Sequence, residues 1–185
     1  MNTLPNYQAL DTPDQAGAFG LLCSARLLAV AALGNFPCAR DLGTLVRAWG
    51  ECADIAPQVA SMKRYSAMFP YRDNVESPSY YRSLSVDLAL MSIDFTEDQP
   101  ADRARRLMFM ATQAWGNLDD IVSSRDSNSG DFCKREMESQ ARDISMISSG
   151  SDVRRAYLDC LARYREEYQE RARYFCRVAA MASWS

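Results

Sequence analysis

Histidine is absent from this 185-residue sequence. Its absence removes histidine acid–base catalysis, Ser-His-Asp and Cys-His nucleophile systems, imidazole metal sites and the Glu-x-x-His pairs of carboxylate-bridged di-iron bundles. Lysine is nearly absent too: only Lys63 and Lys134 occur, and arginine carries the rest of the positive charge. Glycine and proline, at 8 and 7 residues, are too few for collagen-like or low-complexity chains. There is no excess of positive charge. With 21 basic against 24 acidic residues the net charge is -3, so no broad field draws the chain onto phosphate backbones or anionic lipid. Neither nucleic acid nor membrane is expected as a partner. GxGxxG, P-loop and GxSxG patterns are missing, which leaves nucleotide and acyl-transfer chemistry without an anchor.

The cysteines at 23, 38, 52, 133, 160 and 176 include no CxxC and no close pair, so neither a zinc knuckle nor a thioredoxin-type motif can be written. Cys23, Cys160 and Cys176 fall in apolar or helical stretches, where a free thiol behaves as a small hydrophobe. Met1-Asn2-Thr3-Leu4-Pro5 lacks a positive signal-peptide start. The expectation is a reduced, cytoplasmic protein with no cofactor and no metal. The apolar run from Ala16 to Leu33 is interrupted by Arg26 and Ser24, so its uncharged stretches fall short of the roughly 18–20 residues a membrane span needs. It reads as a core helix.

What the sequence does hold is helical periodicity over most of its length. A tail at 1–12 precedes Thr12-Pro13-Asp14, an N-cap with proline at the first helical position, and a helix runs from there to Leu33. Gly34-Asn35 ends it. Further helices are expected over Asp41–Ile55, Pro57–Met68, Ser79–Phe95, Ala101–Ser124 and Phe132–Ile147, with Ser151 capping a last one from Asp152 to about Met181. Residues 69–78 and the Ser/Asn-rich 123–130 read as loops. No segment alternates with period two between hairpin turns. The expected fold is all-α: a single-domain irregular or orthogonal bundle of six to seven helices over 1–185.

Two mixed patterns in the last helix have structural readings. Glu166, Glu167 and Glu170 amid Arg163, Arg165, Arg171 and Arg173 give i,i+3 and i,i+4 pairs on an exposed face. Tyr157, Tyr164 and Tyr168 share one helical side, which favours packing over stacking on bases.

Two acidic groups stand outside such mixed-charge helices: Asp119, Asp120 and Asp126 at one corner, and Asp94, Glu97 and Asp98 at another. Asp119-Asp120 begins like the metal-binding DDxxD of prenyl-transferring helical enzymes, but Ser123 stands where the third carboxylate is needed. A small metal-dependent enzyme using these carboxylates is the alternative to a non-catalytic binding protein, and a homo-oligomeric structural protein is a third possibility.

The order of segments resembles the YjaG-like bacterial family of unknown function (domain of unknown function 416). The stretches that carry it are Ala18 to Leu27, Leu42 to Trp49, Ser85 to Leu90 with the acidic corner and long helix after it, and Glu138 to Asp143. Together they cover about 130 residues; the family's closing signature is not found after Arg173. The resemblance implies a helical domain without assigned catalytic residues, and relatives that look like immunity proteins encoded beside bacterial toxins. On that implication the chain is expected to bind and neutralise a toxin. Toxins that attack nucleic acids present basic clefts, which carboxylates can enter. Asp119, Asp120 and Asp126 are the first choice because the adjoining loop can adapt; Asp94, Glu97 and Asp98 are second, since Glu97 and Asp98 have an ordinary use at a helix start.

Overall fold

The computed structural model describes residues 5–32, 38–68, 75, 77–94, 99–123 and 131–164. After a 3₁₀ turn at Tyr7–Ala9 come α1 (Pro13–Ala31), α2 (Ala39–Gly50), α3 (Ala56–Met68), α4 (Pro78–Ile93), α5 (Pro100–Ser123) and α6 (Phe132–Ser149). Residues 153–164 form a further helix, α7. The described residues contain no strand, and the fold is the all-α bundle that the periodicity implies. Among them no helix is long and apolar enough to cross a membrane.

Helix α1 begins as the sequence indicates. Thr12 accepts from the Gln15 amide while the Gln15 side chain accepts from the Thr12 amide, a capping box with Pro13 behind it. From Gln15 through Leu27 every residue is buried, because α1 packs against α2, α4, α5 and α6 at once. Gly20 permits the tightest of these approaches. A Cβ there would stand 2.6 Å from Leu107 Cδ1 on α5 and collide with the Ser92 hydroxyl on α4. Gly50 does the same between α2 and α7, where a Cβ would meet Leu158 and Tyr157. Trp49 packs edge-on against Tyr157, whose hydroxyl donates to the Val46 carbonyl at 2.6 Å, while the Arg154 guanidinium lies 3.5 Å from the Trp49 ring centre.

Several boundaries differ from the sequence reading. Helix α1 stops at Ala31, two residues early, with its Ala31 carbonyl taken by Arg82 Nε at 3.3 Å. Helix α2 ends at Gly50 rather than Ile55: Cys52 turns left-handed at φ 55°, its amide donates to Trp49 and the Ala53 amide to Ala48. That is a Schellman stop with cysteine at the position glycine usually fills, so its signal was hidden. Pro78 starts α4 one residue inside the expected 69–78 loop, capped by Ser77. The cap of α7 is Asp152, whose carboxylate accepts from the Arg155 amide at 3.1 Å, rather than Ser151. The N-terminal segment is more than a tail, since Leu10 is fully buried and the 3₁₀ turn packs on α5 and α6. Single apolar residues leave no periodic trace.

Candidate functional site

The densest gathering of ionisable side chains lies inside the bundle. Arg26 on α1, Glu136 and Asp143 on α6 and Tyr164 on α7 are all enclosed, the first three at 0% exposure. Arg26 binds Glu136 with both prongs, Nε and Nη2 each 2.7 Å from a carboxylate oxygen, and its Nη1 donates to Asp143 Oδ2. The other Asp143 oxygen accepts from the Tyr164 hydroxyl at 2.7 Å. Gln140 donates to Glu136 at 2.9 Å and exchanges hydrogen bonds with Thr112 of α5. The spacing explains the geometry: Glu136, Gln140 and Asp143 stand at i, i+4 and i+7, one stripe of α6.

Burial tends to lower the affinity of Arg26 for its proton, but Glu136 and Asp143 more than reverse this and hold the guanidinium charged. Burial pushes the Asp143 carboxyl up, against the pull of Arg26 and the Tyr164 hydrogen bond. Burial also raises the Cys23 thiol, to which Arg26 Nη2 donates at 3.3 Å, so the thiol is neutral. Each polar group is bound by another member of the cluster. Its role is to join α1, α6 and α7. In sequence Arg26 reads only as an interruption of an apolar run; the signals that point to the cluster are an arginine deep within a largely apolar helix and an acidic pair seven residues apart.

The surface corners are built differently. Asp119, half-buried near the end of α5, accepts from three successive amides at the start of α6: Asp131 at 3.1 Å, Phe132 at 2.8 Å and Cys133 at 2.9 Å. Asp131, the residue before α6, makes no side-chain cap of its own, so the cap comes from the neighbouring helix. A carboxylate there satisfies otherwise orphaned donors and faces the positive end of the helix dipole. Both of its oxygens are thereby engaged. Asp120, the next residue, is exposed. Asp94 is exposed at the end of α4, and the 24 residues of α5 that follow span about 36 Å. Asp126, Glu97 and Asp98 lie outside the described residues. The structure thus gives Asp119 a structural duty, and Asp120 and Asp94 are exposed. Among the described residues no three histidine, cysteine, aspartate or glutamate side chains are arranged to hold a metal ion.

The tyrosines of the last helix follow the packing reading as far as they are described: Tyr157 and Tyr164 are buried at 0% and 2% exposure. Tyr168, Cys176 and the Glu166–Glu170 charge pattern lie outside the described residues. Cys23, Cys38 and Cys160 are buried free thiols, Cys133 is half-buried, and Cys52 is exposed. Comparison with protein-family models, with curated proteins and with solved structures finds no match to the chain.

Proposed function

We propose that this chain is a non-catalytic binding protein, most concretely an immunity protein that binds and neutralises a cognate bacterial toxin, with the end of α5 as its contact corner. One observation carries the reading. Asp119 clamps three successive amides at the start of α6, which fixes the junction of α5 and α6 and holds the neighbouring Asp120 carboxylate outward on rigid backbone. A charge fixed in place before contact loses little freedom on binding and speeds encounter with a basic surface. The resemblance of segment order to the YjaG-like family supports the same class of function. So does the buried Arg26 cluster, because it spends the most chemically capable residues on architecture.

The test uses the protein encoded beside this chain. Co-expression should relieve that neighbour's toxicity in a bacterial host, and the purified pair should bind with a salt-sensitive association rate. Asp120→Lys should weaken binding by about tenfold or more, through the association rate, with an unchanged melting temperature. A folded Asp120→Lys protein that binds and protects as well as the parent would place the interface elsewhere. A neighbour that is harmless and does not bind would remove the immunity reading.

A further inference from the structure

Helix α5 carries an exposed stripe whose residues form a self-complementary set. Arg105, Phe109, Gln113 and Asp120 are exposed and Gly116 is half-buried among them, and at 3.6 residues per turn the five fall within about 80° of the helix circumference. Phe109 is 65% exposed, one of two large apolar side chains so placed among the described residues. Gly116 lies two turns further along the same line. A Cβ added there would meet nothing within 4 Å, so packing among the described residues does not call for glycine, and alanine would make the better helix. Without a side chain the position leaves room for another body to approach the helix backbone closely.

The arrangement has a centre. Phe109 and Gly116 are equally far from the midpoint between Thr112 and Gln113, and so are Arg105 and Asp120. A twofold axis through that point, perpendicular to the helix, lays α5 antiparallel on a copy of itself. Phe109 then faces the partner's Gly116, and Arg105 faces the partner's Asp120, each contact occurring twice as an isologous interface requires. Within the chain Asp102 lies 3.5 Å from the Arg105 guanidinium, on this same side of the helix.

We infer that α5 is a self-association face on which a second copy of this chain docks, Phe109 filling the notch at Gly116 and Arg105 pairing with Asp120 across a twofold axis. One helix face on another buries less than the roughly 1,200 Å² of standard interfaces. The dimer is therefore weak and concentration-dependent. The inference does not rest on the proposed toxin contact, although the two surfaces share Asp120.

Sedimentation equilibrium of the full chain, from about 1 to 500 µM, reads the population by mass action. The mass should rise from the 20.8 kDa of the monomer toward twice that value. Phe109→Ala and Gly116→Leu should each weaken the dimer about tenfold or more while leaving the melting temperature within a few degrees of the parent. Arg105→Glu alone and Asp120→Arg alone should weaken it through like-charge contact, and the two combined should recover most of the loss. A monomer throughout the range overturns the inference. So does a dimer indifferent to Phe109→Ala and Gly116→Leu, or a combined charge exchange no better than the single ones. Gly116→Leu leaves Asp119 and Asp120 in place, so its effect on toxin binding separates the two surfaces.

Discussion

Arg26 is the residue on which the interior depends, because its positive charge is enclosed with two carboxylates and a tyrosine hydroxyl rather than with water. Arg26→Met would leave Glu136 and Asp143 facing each other without a cation. Removing one partner of a buried ionic group typically costs about 3–5 kcal/mol. A melt of this variant should therefore fall well below the parent, by roughly 6–20 °C for a chain of this size. Adding Glu136→Leu and Asp143→Leu removes the stranded charges, and the triple variant should regain most of the loss; a triple variant less stable than Arg26→Met would show that the carboxylates hold the bundle by other bonds. Residue by residue, the apolar core was the legible part of the sequence: Leu22, Leu27, Leu45, Trp49, Leu84, Leu88, Leu107 and Trp115 sit at helical spacing and are all buried. The ionic cluster was not legible, since an arginine in α1 and an acidic pair in α6 are 110 residues apart and a sequence shows only local periodicity.

At the scale of elements, starts were easier to read than stops. Thr12-Pro13 announces α1 because the cap, the proline and Gln15 are adjacent in sequence. The end of α2 was concealed by cysteine in a left-handed position, and the start of α6 takes its cap from Asp119, twelve residues before Asp131. The same distance hides the duty of Asp119, so that in sequence the acidic corner reads only as a contact surface. Asp119→Ala strips three amides of their acceptor at once, and losing a helix cap costs about 0.5–2 kcal/mol. Urea titration should register that loss with an unchanged slope, and Asp120→Ala, exposed on the adjacent position, should register almost none. Equal effects from the two would mean that the clamp does not hold α6.

For the molecule as a whole, burial of neutral acids sets the alkaline limit of stability. Cys160 is pushed up to about 12 by burial, with Asp143 adding to it, and burial likewise raises Cys23, Tyr157 and Tyr164. All four ionise more readily in the unfolded chain. Their contribution is complete below the unfolded values, about 8.5 for cysteine and 10 for tyrosine, and it is lost as the pH climbs toward the folded ones. The free energy of unfolding should thus decline from about pH 9 upward, by up to roughly 1.4 kcal/mol per pH unit for each group that ionises only on unfolding. Cys160→Ala should flatten the early part of that decline. A flat profile between pH 8 and 10.5 would show that these thiols and phenols are exposed in the folded protein.

The ionic cluster also dictates when the chain can finish folding during synthesis. Arg26 leaves the ribosome more than a hundred residues before Glu136 and Asp143, and Tyr164 comes later still. Until α6 emerges, the helix that will become the centre of the bundle carries an unmatched charge on a surface otherwise fit for burial. Early collapse around α1 is held back by the cost of dehydrating that guanidinium. Vectorial folding should therefore be deferred: the nascent chain is expected to stay open until Asp143 has cleared the ribosome, and the arrival of two carboxylates two turns apart on α6 is the event that lets the first helix close into the interior.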